Sequence, residues 1–187
     1  MQGDEAVVAV IDALDALGVE YMVVGSLSSN FYGVPRSTED ADIVVELGSI
    51  SLLELIRRLG PEFRLEPQAS FETITMTTRH ILKVPSSDFT IELFQLSENE
   101  HDRQRFQRRR QVSLHGRAIV LPTAEDVIVT KLFWALTRRH PKDREDVRDV
   151  IAVQDKDLDW AYINSWADRQ GTRALLEEIR GEIPPGA

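Results

Sequence analysis

The chain has 187 residues, no cysteine and a formal net charge of -9. Without cysteine it can form no disulfide, no zinc-thiolate site and no cysteine nucleophile. An acidic chain of this kind repels the nucleic-acid backbone on average, so general binding of duplex DNA is not expected. His80, His101, His115 and His140 are scattered, without metal-ligand spacing. The start Met1-Gln2-Gly3-Asp4-Glu5 has no cationic segment followed by an apolar core, and no apolar run reaches the roughly 20 residues that span a bilayer. We therefore expect no signal peptide, no membrane association and a cytoplasmic location.

Residues 4–17 are rich in helix formers. Val7, Val10, Ile11, Leu14 and Leu17 recur at three-four spacing, and Gly18 ends the segment. Residues 21–24 form a short apolar run of the buried-strand kind. Gly25-Ser26 then turns the chain into a second short helix, from Leu27 to about Tyr32. The stretch 33–39 is a turn-rich link. Residues 41–47 read as a strand, with Ile43, Val44 and Val45 at its centre. Ser49 or Ser51 caps a helix that stops at Gly60-Pro61. Residues 63–96 read as a run of strands. Alternation is visible over 71–76 and 89–96, and Pro85-Ser86-Ser87 marks a hairpin turn. The charged segment 98–109 reads as helix, and His115-Gly116 as the turn of another hairpin. From Thr123 onward the pattern is helical, with breaks near Pro141, Asp155 to Asp159 and Gly171. The order predicts an α+β fold: a mixed β-sheet flanked by helices, followed by a C-terminal helical part.

Two groups of residues suggest chemistry. In the first, a strand ends at Val24, Gly25-Ser26 makes a turn, and a helix follows. Free backbone N–H groups at a helix start suit a phosphate, the Ser26 hydroxyl adds a donor, and Gly25 permits close approach. Asp40 and Asp42, two apart on a strand, share one face. Like charges so close repel unless a cation lies between them, and Mg²⁺ takes ligands of this type together with substrate phosphates.

The string Gly25-Ser26, Gly33, Arg36-Ser37-Thr38-Glu39-Asp40-Ala41-Asp42 resembles the signature of the nucleotidyltransferase superfamily, the polymerase-beta-like fold. The resemblance implies that Gly25 and Ser26 hold the β- and γ-phosphates of a nucleoside triphosphate. It implies that Asp40 and Asp42 hold Mg²⁺ or Mn²⁺. Val24 stands where many members have a further glycine. The superfamily also has a third carboxylate on a later strand, and the resemblance implies that Glu92 in Ile91-Glu92-Leu93 is this third catalytic, metal-holding residue. An acid inside an apolar strand calls for a partner. The superfamily usually has Asp there, so the longer Glu puts catalytic competence in question. Asp88, earlier in the chain, lies roughly 13 Å from Glu92, too far to share a metal, and reads as a turn residue.

The second group lies on the C-terminal helices. Thr123 caps a helix with Glu125 and Asp126 in its first turn. Lys131 sits in a mostly apolar stretch, Arg138 and Arg139 follow, then Pro141-Lys142-Asp143-Arg144-Glu145-Asp146-Val147. This order resembles the helical region of abortive-infection, AbiEii-type, toxin nucleotidyltransferases. The resemblance implies that Lys131 contacts the nucleotide phosphates and that Asp143 or Asp146 orients a basic side chain or the acceptor. Arg36 and Arg139 enter as supporting residues. A snorkelling lysine and a solvated charged helix are the plainer readings. Trp160 and Trp166 read as helix packing. Arg103, Arg105, Arg108, Arg109 and Arg110 follow acids on one helix, as the helix dipole favours. A groove for an RNA acceptor is the sharper alternative.

The resemblance implies a catalytic core over 1–121, a helical region packed on it over 122–183 and a flexible tail at 184–187. It implies metal-dependent transfer of a nucleoside monophosphate from an NTP to an RNA or protein acceptor, with ATP binding and Mg²⁺ among the expectations. A toxin-antitoxin setting, with an antitoxin protein as partner, belongs to the same implication. The alternative is a degenerate relative that binds nucleotide or a partner protein without catalysis.

Overall fold

The computed structural model describes residues 3–73, 76–114 and 116–184. Ile74 and Thr75 in the expected alternation, His115 in the expected hairpin turn and 185–187 of the expected tail lie outside the described residues. The chain divides into two units, Met1–Ser26 with Ser37–Leu121, and Leu27–Arg36 with Pro122–Ala187.

The first unit is built on a mixed six-stranded sheet. Its helices and strands are α1 (Gly3–Leu17), β1 (Glu20–Val24), β2 (Asp40–Glu46), α3 (Leu52–Leu59), β3 (Arg64–Leu65), β4 (Ser70–Glu72), β5 (Thr77–Lys83), β6 (Thr90–Gln95) and α4 (Glu100–Arg108), and the hairpin β7 (Arg110–Leu114) and β8 (Arg117–Leu121) closes it. Helix α2 (Gly25–Tyr32) starts at its edge and continues into the second unit. The strand order is β1-β2-β6-β5-β3, with β4 also on β5. Only β2 and β6 run parallel among the described strands.

Side chains alternate between the two faces of a strand, so register decides what meets what. Ala41, Ile43 and Val45 of β2 share a face with Ile91 and Leu93 of β6, and all five are buried. Helix α1 packs beside β1 and β6, and α3 packs on α1. The periodic residues Val10, Ile11 and Leu14 of α1 are buried, as their spacing requires. On the other face Met22, Val24 and Val44 form a smaller cluster with Leu96 and with Phe106 of α4. Between the two possible caps of α3, the chain uses Ser51, whose hydroxyl accepts from Glu54 N at 3.2 Å. Asn99 caps α4, one residue beyond the expected start.

The second unit is helical: the rest of α2, then α5 (Ala124–Arg138), α6 (Pro141–Gln154), a 3-10 turn (Asp155–Asp157), α7 (Trp160–Gln170) and α8 (Arg173–Gly181). Its core is formed by Val127, Ile128, Leu132, Val147, Val150, Ile151, Ile163, Leu176 and Ile179. Thr123 caps α5 by accepting from Asp126 N, while its hydroxyl donates to Asp126 Oδ2 at 2.8 Å. Gly33 sits where a Cβ would come within 3.1 Å of both Ser29 O and Val150 N, so its lack of a side chain lets the end of α2 lie against α6. Trp166 is buried and Trp160 packs on this core, as helix packing predicts. Among the described residues no helix is long and apolar enough to cross a membrane.

Candidate active site

The site is assembled where β1 meets α2. Asp42 pairs with Val24 on one side and with Glu92 on the other. Direct partners in register point to the same face. Asp40, two residues before Asp42, shares that face and pairs with Thr90. The sheet therefore brings Asp40, Asp42 and Glu92 to one face, beside the Gly25-Ser26 turn that follows Val24. The strand periodicity put Asp40 and Asp42 together; the pairing of β2 with β6 adds Glu92.

Gly25 has φ of +62°, a region in which a side chain is strained, and a Cβ there would stand 1.9 Å from Asp42 Oδ2. The glycine thus makes room for the Asp42 carboxylate as well as allowing the turn. Thr38 explains another position of the signature. Its hydroxyl donates to Asp40 Oδ1 at 2.8 Å and so orients that carboxylate.

Glu92 has a partner that the sequence did not disclose. Arg79 Nη1 donates to Glu92 Oε2 at 3.0 Å and to Oε1 at 3.2 Å, and Arg79 Nε donates to Ser70 Oγ at 2.9 Å. Arg79 pairs with Phe94 on β6, one step diagonal from Glu92 on the same face. A single arginine in an alternating strand reads as a solvated residue, and only the register between β5 and β6 reveals its role. The half-buried acid thus has a counter-charge from the protein itself.

Asp40 and Asp42 fit a hard divalent cation: two carboxylate oxygen donors on one face, with room conserved for one of them by Gly25. Glu92 as placed is held by Arg79. Among the described residues, no three Asp, Glu or His side chains are gathered closely enough to hold a metal ion.

The other expected site residues lie in the helical unit. Lys131 is buried, and its ammonium bonds Asp143 Oδ1 and Asp146 Oδ2, each at 2.8 Å. Burial works against the charged ammonium, but Asp146 and Asp143 outweigh it and hold the Lys131 pKa above its ordinary 10.5. Arg36 Nε reaches Asp146 Oδ1 at 3.3 Å, and the Asn30 side chain brackets the Arg36 backbone by bonding both its N and its O. Asp146 therefore bridges two cations. Arg139 is exposed and ends α5 in a left-handed conformation, φ 55°.

The arginine-rich helix of the first unit is largely committed to partners. Arg103 pairs with Glu46 and Glu98, and Arg105 is buried against Asp102. Arg109 pairs with Glu20 and lies 4.0 Å from the centre of the Phe106 ring. These ion pairs favour the structural reading of the segment over an RNA groove.

No protein-family model matches the sequence, and no curated protein gives a significant match. Several solved structures do resemble this one. The crystal structure of ANT(2'')-Ia in complex with adenylyl-2''-tobramycin has a TM-score of 0.61 at 14% identity, over 90% of this chain and 96% of that one. An antigenic nucleotidyltransferase-like protein from Paracoccidioides brasiliensis has a TM-score of 0.54 at 18% identity, over 95% and 93%. The lincomycin-bound lincosamide antibiotic adenylyltransferase LnuA has a TM-score of 0.55 at 12% identity, over 80% and 96%. At these identities the likeness establishes the fold, and the chain has the nucleotidyltransferase fold.

Proposed function

We propose that this chain is a metal-dependent nucleotidyltransferase that moves a nucleoside monophosphate from an NTP to an acceptor hydroxyl. The observation that carries the reading is the register of Asp42 against Glu92, with Asp40 on the same face and the Gly25-Ser26 turn beside them. Asp40 and Asp42, joined by Glu92 when it leaves Arg79, would hold Mg²⁺ or Mn²⁺, which supplies positive charge to the triphosphate as pyrophosphate leaves. Gly25 and Ser26 receive the β- and γ-phosphates at the start of α2. The acceptor oxygen forms a bond to the α-phosphorus, the bond to pyrophosphate breaks in line, and the hydroxyl proton passes to a site carboxylate.

ATP is the expected donor, since two of the structural neighbours are named for adenylyl transfer or for an adenylylated product. RNA or protein is the acceptor suggested by the resemblance to AbiEii-type toxins, and an antitoxin partner goes with that setting. The antibiotics in the neighbours' names add small-molecule hydroxyls to the acceptors worth testing. The AbiEii-type resemblance assigns Lys131 to the nucleotide phosphates, with Asp143 and Asp146, which bond its ammonium, as the residues that orient it. A nucleotide-binding protein without turnover is the second reading, favoured by one observation, the hold of Arg79 on Glu92. Incubation with each α-labelled NTP, Mg²⁺ and a panel of total RNA, protein and hydroxylated antibiotics separates the two. Label on an acceptor supports transfer, while bound but unconverted NTP supports the second reading.

A further inference from the structure

The Arg79–Glu92 pair has a consequence for cation binding. The guanidinium bonds both carboxylate oxygens of Glu92, and Ser70, its direct partner across β4 and β5, fixes it from the other side. Glu92 is also the cross-strand neighbour of Asp42. One carboxylate therefore lies between a guanidinium and the place where Asp40 and Asp42 would hold a cation. Glu is one methylene longer than Asp, so its carboxylate can reach either side. We propose that Arg79 sets the metal affinity of the site by competing with the divalent cation for Glu92. This rests on the reading of Asp40, Asp42 and Glu92 as cation ligands. A cation entering at Asp42 recruits Glu92 only by taking it from a charge-assisted bond, and the guanidinium left behind repels it. Site affinity for the free ion is thereby kept low, and cation binding is favoured when a triphosphate brings further negative charge.

The test is a titration of the full chain with Mn²⁺ alone, the free ion being followed by electron paramagnetic resonance. Arg79→Gln keeps a donor for Ser70 and removes the charge. It should bind Mn²⁺ about tenfold tighter than the wild type, the scale of one charge at moderate distance in a partly solvated site. Arg79→Lys, which keeps the charge without the planar fork, should show a smaller gain and serves if Arg79→Gln does not fold. In a Glu92→Gln background the Arg79→Gln gain should vanish. An unchanged or weaker affinity in Arg79→Gln overturns the proposal. So does a gain that persists without the Glu92 carboxylate, which would be a general charge effect. Asp42→Asn distinguishes the underlying reading. If it binds Mn²⁺ as tightly as the wild type, or if none of these proteins binds the ion, the carboxylate site itself is wrong.

Discussion

Gly25 carries two constraints at once. Its φ of +62° disfavours any side chain, and the Asp42 carboxylate occupies the space of its missing Cβ. Gly25→Ala should lower stability by at least about 1–2 kcal/mol from the backbone alone, with the collision added. In an Asp42→Ala background the collision disappears and only the backbone part remains. Chemical denaturation of the two pairs checks this, and equal costs in both backgrounds would show that Asp42 does not crowd the turn. At this scale the sequence was informative where a residue's reason is local. The Gly-Ser turn, the two-residue spacing of Asp40 and Asp42 and the Thr38 position all act within a few residues. Glu92 was visible only as an acid in an apolar strand. Its neighbours Asp42 and Arg79 are set by strand pairings that no local pattern records.

The helices α5 and α6 hold a buried charge cluster that their sequences only partly announce. Lys131 was readable as a lysine among apolar residues, but its partners lie on the next helix. Lys131→Met should destabilise the chain by about 3–5 kcal/mol, because Asp143 and Asp146 would lose a buried counter-charge. Adding Asp143→Leu should recover part of the loss. Urea unfolding measures both, and a loss below 1 kcal/mol, taken as a rough floor, would mean that water reaches the pair. Strand β5 offers a pH dependence. Burial lowers the His80 pKa from its ordinary 6.5, so the unfolded chain binds the proton more tightly. Stability from this group should fall as pH drops through 6.5 and level off below the lower folded value. His80→Gln should flatten the acid side of the unfolding profile relative to wild type. Parallel profiles would remove His80 as a contributor.

For the whole molecule, the order of elements was legible because helix and strand periods differ and glycines and prolines punctuate them. Glu20 to Val24, the α2 turn and the break at Pro141 all follow this logic. The grouping was less so. Residues 27–36 belong with the helical unit, although they sit between two strands of the sheet in sequence. Their tie is the close approach of Gly33 to Val150 and the bond from Gln154 to Tyr32 O, contacts more than a hundred residues apart. The acidic balance of -9 bears on acceptors: an RNA substrate would need local positive charge, and Arg103, Arg105 and Arg109 are already paired.

The most direct test of the proposed chemistry compares wild type with Asp42→Asn. Both are incubated with α-labelled ATP, Mg²⁺ and the acceptor panel, and covalently labelled product is counted alongside released pyrophosphate. Asp42→Asn keeps the shape and removes one charge from the cation site. We expect label and pyrophosphate in equal amounts from the wild type, and a loss of at least about a hundredfold in the variant, the scale on which single charge-stabilising groups act in transfer reactions. Equal labelling by the two proteins would contradict the assignment of Asp42 to catalysis. No labelling by the wild type with any NTP would contradict nucleotidyl transfer itself.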